Sequence, residues 1–255
     1  MDGKYPFVHD DELVTRARAV IRNWSLRILP VVDRDRKVVG IISRGDIMKI
    51  SSSVSLIRVR GVMTAPKYMA TADADAFPTV KEMIRADEWY APVVDSAASR
   101  KLDGVLGLEH FIDAIIKVSP EKLAKEVSEI MSQKVLTCSP DDEIGQVWRL
   151  MQERSLAGIP VVKNDRLVGM VTQKDFLESS SNYPTFESTK GRFRASPKIS
   201  SIMHTGVISV RPSVKAIRVA KVMVSKDIGR IPVTDEEERL VGIVDREDIA
   251  RMIVK

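Results

Sequence analysis

Four stretches of the chain repeat one pattern: an apolar segment around a proline, a polar turn, a glycine between apolar residues, and the start of a helix. Three copies read ILPVVDRDRKVVGIISRGDI (28–47), IPVVKNDRLVGMVTQKDF (159–176) and IPVTDEEERLVGIVDREDI (231–249), and a more divergent second copy reads APVVDSAASRKLDGVLGLEHFI (91–112). The copies recur at roughly 60–70 residues, a period too long for a solenoid repeat and suited to a small α/β unit. The chain must therefore fold as four related units, which we number one to four in chain order.

The third unit shows the order of elements within a repeat. Residues 135–137 predict a short strand, and Ser139 and Pro140 suit the N-cap and first position of a helix. An apolar strand around Pro160, a polar hairpin turn at 163–166, a return strand and a second helix complete a β-α-β-β-α unit. The apolar stripe of the first helix is predicted to consist of Ile144, Val147, Leu150 and Met151.

The fourth unit repeats this order, with a first strand at 207–210 and a helix opened by Pro212. The stripe of that helix is predicted at Ile217, Ala220 and Val224, with Met223 one position off. A unit of about 60 residues buries too little surface to stand securely alone. We therefore expect unit one to pair with unit two and unit three with unit four, each pair around a pseudo-two-fold axis.

The expected domain boundaries follow from the repeats. The units are placed at 1–60, 61–118, 123–180 and 198–255, and the two halves at 1–118 and 123–255. A long polar insertion at 179–200 lies within the second half and is expected to be disordered or ordered by a ligand.

The composition excludes several classes of protein. No apolar run approaches the roughly 20 residues that cross a bilayer, and the first residues lack the basic and apolar regions of a signal peptide. The single cysteine, Cys138, excludes an internal disulfide and argues for a reducing compartment, so we expect a cytoplasmic protein. Three dispersed histidines have no zinc-ligand spacing, so no metal site is expected.

The charge leaves several partners open. A net charge of +5 and a pI of about 9.3 fit a basic surface without a specific partner, and they also fit nucleic acid, anionic membrane or phosphate-bearing ligands. The densest basic segment, 190–198, is short and has only Phe186 and Phe193 near it. Base stacking requires exposed aromatic side chains, so nucleic-acid binding through this basic surface is kept as an alternative.

The strand and helix-start segments resemble the cystathionine-β-synthase (CBS) domain. The matching elements are an h-P-V-V strand, an h-V-G-h-h strand and an S/T-x-x-D helix start, where h is apolar, and the four ordered copies span nearly the whole chain. The resemblance implies an α/β (α+β) fold of four CBS repeats forming two pseudo-two-fold pair modules. The chain is similar in this to stand-alone archaeal CBS-only proteins and to the γ subunit of AMP-activated kinase. Tandem CBS domains typically bind adenosine-containing ligands in clefts between paired domains.

The resemblance also implies which residues hold the ligand. The acid of the helix start would accept the two ribose hydroxyls, as a carboxylate does in dinucleotide folds, and it maps to Asp46, Asp175 and Asp248. The accompanying hydroxyl, near any phosphate, maps to Ser43 and Thr172. The base slot maps to Val135, Thr137, Gly158, Ile159 and Pro160 in unit three and to Val207, Arg230, Ile231 and Pro232 in unit four.

The same helix starts have a purely structural interpretation. S/T-x-x-D is also a capping box, which contributes about 1 kcal/mol without any ligand. Unit two has Gly107 and His110 at these positions, so we expect its cleft to be empty or altered. Unit four has Asp245 in place of the hydroxyl, which would repel a nearby phosphate by about 1 to 4 kcal/mol and favour a neutral nucleoside or a sulfonium. Binding is therefore expected mainly in the second half.

Cationic side chains beside the motifs also have two interpretations. They could hold a phosphate or be solvated at a helix start. They are Arg27, Lys134, Lys174, Arg211, Arg230 and Arg246, of which Arg27 and Arg230 flank the base slot.

Three functions remain open. The first is a regulatory sensor of an adenosyl ligand (AMP, ADP, ATP or S-adenosylmethionine), with energy sensing as one role and no required cofactor. The second is a scaffold or regulatory subunit with vestigial clefts that acts through a protein partner, and the third is nucleic-acid binding. An enzyme is disfavoured because no nucleophile–base pair or Gly-rich phosphate loop is visible. The oligomeric state is open between a monomer that forms a disc by itself and a homodimer.

Overall fold

The computed structural model describes residues 4–50, 56–179 and 197–255. The first half contains β1 (Val8–His9), α1 (Val14–Asn23), β2 (Ile28–Val32), β3 (Val38–Ser43), α2 (Arg44–Met48), β4 (Ala70–Thr71), α3 (Ala76–Arg85), β5 (Tyr90–Val94), β6 (Leu102–Gly107) and α4 (Leu108–Val118). The second half contains α5 (Ile144–Glu153), β7 (Gly158–Lys163), β8 (Arg166–Thr172), α6 (Gln173–Ser179), α7 (Ala216–Ser225), β9 (Arg230–Thr234), β10 (Leu240–Asp245) and α8 (Arg246–Val254). The expected fold of four mixed α and β repeats is confirmed. Most of the polar insertion lies outside the described residues.

Each unit is built on the same antiparallel hairpin. In β2 and β3, Pro30 lies opposite Ile41 and Val31 lies opposite Gly40, and the hairpins β5–β6, β7–β8 and β9–β10 keep this register. The first strands β1 and β4 run parallel to β2 and β5. The sequence pattern therefore places equivalent residues at equivalent backbone positions in all four units.

The first strands predicted at 135–137 and 207–210 are wrong, because each is reduced to one parallel bridge. Cys138 pairs with Val161, and Val210 pairs with Val233. In unit one the ladder continues, since the Asp10 amide donates to the Val32 carbonyl at 3.1 Å. The equivalent positions in units three and four are Pro140 and Pro212, which have no amide hydrogen with which to continue a ladder.

These prolines do not open helices either, so the predicted helix starts are also wrong. Helix α5 begins at Ile144 and α7 at Ala216. Ser139 forms a polar turn instead, in which its amide donates to the Asp142 carboxylate at 2.8 Å. The first amide of each helix is satisfied from a distant segment, Ile144 by the Pro197 carbonyl at 3.0 Å and Ala216 by the Lys125 carbonyl at 2.8 Å.

The apolar stripes were predicted with unequal success. In α5, Ile144, Val147 and Met151 are buried as expected. In α7 the fully buried residues are Ala216, Val219, Ala220 and Met223, so the prediction is confirmed at Ala220, whereas Ile217 and Val224 are only partly buried and pack against the same core. A single helix face can meet the core, and the packing of α7 against α4 and α8 selects the face that is offset by one residue.

The segment that precedes each of the last three units packs on a unit other than the one it introduces. Thr64 bridges to Ile41 of unit one, Ser132 to Ile243 of unit four and His204 to Met170 of unit three. In each segment a methionine covers the glycine of the adjacent return strand. The glycine–methionine pairs are Gly40 with Met63, Gly242 with Met131, and Gly169 with Met203.

Close approach explains the recurring glycine. A Cβ atom at Gly40 would lie 2.6 Å from the Met63 sulfur, and one at Gly169 would lie 2.8 Å from the His204 carbonyl oxygen. At Gly169 a side chain would require the covering backbone to move, whereas at Gly40 it would require the Met63 side chain to rearrange. Packing therefore requires the glycine most strictly at Gly169.

The units pair through their hairpin turns. The Val38 amide donates to the Arg100 carbonyl at 2.9 Å, and the Leu102 amide donates to the Arg36 carbonyl at 3.0 Å. Units three and four make the same reciprocal bonds, from Leu167 to Glu238 at 3.1 Å and from Leu240 to Asp165 at 3.4 Å. These reciprocal bonds join unit one to unit two and unit three to unit four, each pair with pseudo-two-fold symmetry. We call units one and two the first module and units three and four the second module.

The two modules join through helices. Helix α4 packs against α7 and α8, and α2 packs against α6. At this junction Arg246, which is 1% exposed, donates to the Tyr90 hydroxyl and the Glu109 carboxylate, both at 2.9 Å, and to Asp227 at 2.7 Å. The interpretation of Arg246 as a solvated helix-start cation is therefore wrong, and its charge connects units two and four.

Candidate ligand-binding cleft

A cavity of about 550 Å³ lies between units three and four. This volume is within the usual range of small-molecule sites. Val135 and Thr137, which were expected in the base slot, line it. The full lining consists of Gln133, Val135, Thr137, Val162, Asp165, Asp235, Arg239, Leu240 and Val241. The cavity is thus bounded by the first segment of unit three and by the hairpins of both units.

The predicted hydroxyl and acid of unit three form one cluster at the start of α6. The Thr172 amide and hydroxyl both donate to the same Asp175 oxygen at 2.7 Å. The other Asp175 oxygen lies 2.5 Å from His204 Nε2. Both oxygens of the Asp175 carboxylate therefore have partners within the protein. The side chain of Asp175 is also buried, with 3% of it exposed.

The acid cluster and the cavity lie along one strand. Thr172 pairs with Gly158 at one end of β7, and Leu167 pairs with Val162 near the other. Four residues of strand span about 13 Å. Because the Cys138–Val161 bridge is parallel, Val135 lies toward the Gly158 end. A molecule that touched both Thr137 and Asp175 would therefore lie along β7.

The helix start of unit four carries two interacting carboxylates. The Asp245 amide donates to Asp248 at 2.9 Å, and the Asp248 amide donates back to Asp245 at 3.0 Å. Burial, with the nearby Asp245 carboxylate as the second cause, raises the pKa of Asp248 to about 7. Burial also raises the pKa of Asp245, against the opposing effect of Arg230. This start therefore holds a proton more readily than an ordinary pair of aspartates.

The helix starts of the first module are capped in the same manner. Ser43 and Asp46 form a complete capping box, with the Ser43 amide and hydroxyl donating to Asp46 at 3.0 and 2.6 Å. In unit two His110 replaces the acid, and its Nδ1 accepts the Gly107 amide at 2.9 Å. The structural interpretation of the motif thus applies in every unit.

The remaining base-slot residues are divided between the core and the module junction. The side chains of Ile159 and Ile231 are fully buried in apolar cores. Arg230 donates to the Gly158 carbonyl of unit three at 2.9 Å and lies over the Trp89 ring of unit two at 5.4 Å. Burial lowers the pKa of Arg230, although the Asp245 carboxylate acts in the opposite direction.

Other predicted positions lie on or beside the same strands. Pro160 is opposite Met170 in β7–β8, and Pro232 is opposite Ile243 in β9–β10. Val207 precedes the bridged Val210 and is half-buried.

Arg27, expected beside the slot, lies at the module junction. It donates to the Asp227 carboxylate of unit four at 2.8 Å and lies over the Tyr90 ring at 5.9 Å. The structure therefore brings Arg27 to a contact between modules and not to the cavity.

Several residues that line the cavity were not predicted from the sequence. Asp165, Asp235 and Arg239 belong to polar hairpin turns, where charged residues are ordinarily solvated. Arg239 contacts the Asp235 carboxylate at 2.7 Å. The expected pairing of units could have identified these cavity residues. Two units related by a pseudo-two-fold axis bring their hairpin turns together.

The fold and the cleft define a protein of tandem α/β repeats with a ligand-sized space between paired units. The chain belongs to the CBS domain family, whose model matches residues 1–53, 127–182 and 199–255. The matched segments leave out the second copy, which is also the divergent one.

The relatives of this chain include proteins of similar length and enzymes that match only part of it. It is 26% identical to the uncharacterised protein MJ1225 of Methanocaldococcus jannaschii over 96% of this chain and 93% of that protein. The crystal structure of MJ1225, described as a candidate archaeal homologue of g-AMPK, superposes with a TM-score of 0.85 at 24% identity over 98% and 96% of the two chains.

Two further comparisons extend this range. A conserved protein of Pyrococcus horikoshii superposes with a TM-score of 0.65 at 23% identity over 89% of this chain and 91% of that one. Inosine-5'-monophosphate dehydrogenase of M. jannaschii is 30% identical over 58% of this chain, and the match spans 28% of that enzyme. Among the residues that the structure describes, no helix is long and apolar enough to span a bilayer.

Proposed function

We propose that this chain is a regulatory protein that binds an adenosine-containing small molecule in the cleft between units three and four. The observation that carries the proposal is the cavity of about 550 Å³ lined by Val135 and Thr137, with the Thr172–Asp175 cluster at the Gly158 end of β7, about 13 Å along the strand from Val162. Val135 and Thr137 offer an apolar wall and a hydroxyl for a base, and Asp175 offers a buried carboxylate for ribose hydroxyls. The ligand would lie along β7.

The charges of the cleft favour a ligand with little negative charge. Asp165 and Asp235 line the cavity, and the Asp235 carboxylate is paired with Arg239 at 2.7 Å. A polyphosphate placed near Asp165 would be repelled by about 1 to 4 kcal/mol, depending on the local dielectric. Adenosine or an adenosyl sulfonium such as S-adenosylmethionine therefore fits this cleft better than ATP.

Calorimetry on the full chain tests the proposal with adenosine, AMP, ATP and S-adenosylmethionine as separate probes. We expect at least one probe to bind with a dissociation constant below 1 mM, and ATP to bind more weakly than adenosine. Dissociation constants above about 1 mM, equivalent to 4.1 kcal/mol, for all four probes would contradict the proposal.

A matched pair of variants separates ribose binding from capping. Asp175→Asn keeps an oxygen that can accept the Thr172 amide but loses the charge, and we expect affinity to fall at least tenfold. Asp142→Asn is the control, because Asp142 accepts the Ser139 amide at 2.8 Å in a similar turn that does not line the cavity. Equal affinities for both variants would show that Asp175 is only a cap.

The alternative is a scaffold that acts through a protein partner. It is favoured by the first module, where apolar side chains fill the space between units one and two. Failure of every adenosyl probe, combined with an intact fold, would favour this alternative.

A further inference from the structure

The two modules differ at one backbone position that faces the pair interface. It is the residue directly before the parallel bridge to the second strand, and the bridged residues are Val8, Ala70, Cys138 and Val210. In units one and two the position holds the large side chains Phe7 and Met69, and in units three and four it holds Thr137 and Ser209. The bridged residues pair in the same register in all four units, so the side chains before them occupy equivalent positions.

In the first module these large side chains fill the interface. Phe7 and Met69 pack against a cluster of buried residues from both hairpins, namely Val32, Val38, Val94 and Leu102. Each is also covered by an arginine from a hairpin turn. The Arg36 guanidinium lies 5.1 Å from the Phe7 ring centre, and Arg100 Nη2 lies 3.8 Å from the Met69 sulfur.

In the second module one of the two equivalent positions, Thr137, borders the cavity. Thr137 lines it together with Val162 and Leu240, which correspond in register to Val32 and Val38. A threonine has much less volume than a phenylalanine, and the cavity lies beside Thr137. The Ser209 hydroxyl instead accepts from the Thr234 hydroxyl at 3.4 Å and does not line the cavity.

The hairpin-turn residues that cover the interface also differ between the two modules. Arg36, Arg100, Asp165 and Glu238 all occupy the same turn position with positive φ. In the second module Asp165 lines the cavity, and Glu238 turns to Arg211 at 2.7 Å. At this turn position the second module therefore has two acids in place of the two arginines, and the arginine that lines the cavity, Arg239, is paired with Asp235 at 2.7 Å.

We infer that Phe7 and Met69 act as built-in plugs of the first cleft, and that the small side chain of Thr137 leaves the ligand cleft of the second module open. The inference depends on the proposed function for the identity of the ligand, but the filled and open clefts can be tested without any ligand. The specificity-determining position is thus a residue on the first segment of each unit.

The ligand-free test compares melting temperatures of matched variants of the full chain. Phe7→Ala removes packed apolar area and should lower the Tm by roughly 4–10 °C, whereas Thr137→Ala should change it by no more than about 2 °C. Thr137→Phe should leave the Tm unchanged or higher, because the ring enters existing space. A Tm loss of more than about 4 °C for Thr137→Phe would show that no such space exists and would overturn the inference.

The ligand test uses calorimetry with whichever of adenosine, AMP or S-adenosylmethionine binds the wild-type chain. Thr137→Phe should weaken that probe at least tenfold, and Phe7→Ala should leave its affinity within twofold. Unchanged affinity in Thr137→Phe would overturn the inference while the proposed function stands. If no probe binds the wild type, the proposed function fails, and the melting temperatures still decide whether the first cleft is plugged.

Discussion

Replacement of His204 by alanine should strengthen ligand binding and weaken the fold at the same time. His204 Nε2 lies 2.5 Å from the Asp175 oxygen that a ribose hydroxyl would need. The other Asp175 oxygen is held by Thr172. A ligand that uses Asp175 must therefore displace His204. The equivalent bridge positions in units one and four are Thr64 and Ser132, so this competition belongs to unit three.

The size of the effect follows from the exposure of the two partners. The side chain of His204 is 66% exposed and that of Asp175 is 3% exposed. Exposed ion pairs contribute about 0.2–1 kcal/mol, and hydrogen bonds to charged groups contribute about 1.5–3 kcal/mol. Because solvent screens the imidazole, we take the lower end, about 1 kcal/mol, which corresponds to about fivefold in affinity.

Calorimetry and urea unfolding of His204→Ala measure both effects. We expect an affinity about fivefold higher and a free energy of unfolding about 1 kcal/mol lower than in the wild type. Thr64→Ala is the control and should change the affinity by less than twofold. Weaker binding in His204→Ala would refute the competition and would make His204 a ligand contact. Unchanged affinity and unchanged stability would show that the pair does not form in solution.

Two further predictions concern stability. Because the folded-state pKa of Asp248 is about 7 and its ordinary value is 3.8, Asp248 favours a protonated folded state. The free energy of unfolding should therefore fall as pH rises from about 4 to 7, by at most about 1.4 kcal/mol per pH unit. Urea titrations at several pH values should show that Asp248→Asn removes part of this slope, and identical slopes would contradict the assignment. Gly169→Ala should cost about 1–3 kcal/mol, because its Cβ would meet the His204 carbonyl at 2.8 Å. Gly145→Ala, with open space around its Cβ, should be neutral or stabilising by up to about 1 kcal/mol; equal losses in both would disprove the close approach.

The hairpins were predictable because their signals are local. The proline strand, polar turn and glycine strand lie within about 20 residues of each other, and the turn chemistry sets the register. The pairing of units was also predictable, since a small unit must bury its open sheet face. The glycine was visible in the sequence, but its reason was not, because Met203 and the His204 carbonyl reach Gly169 from another segment.

The helix starts were mispredicted because their amides are satisfied over long distances. Ser139 and Pro140 have the composition of an N-terminus, yet the first amide of α5 is bonded to the Pro197 carbonyl. The sequence contains no local sign of that partner. The interpretation of Arg246 as a solvated cation was wrong for the same reason. The Tyr90 hydroxyl and the Glu109 carboxylate, which accept from its buried guanidinium, come from another unit.

The S/T-x-x-D motif is a weaker guide to the ligand site than its recurrence suggests. Asp46 and Asp248 complete capping boxes, and Asp175 accepts the Thr172 amide. Even His110 accepts the amide at its helix start. A group that caps in all four units cannot by itself identify the unit that binds. The units differ instead at the residue before the parallel bridge, where Phe7 and Met69 fill the interface of the first module and Thr137 borders the cavity of the second. Side-chain volume at that position is a better indicator of a ligand site than the acid, because it decides whether there is space for a ligand to reach the acid at all.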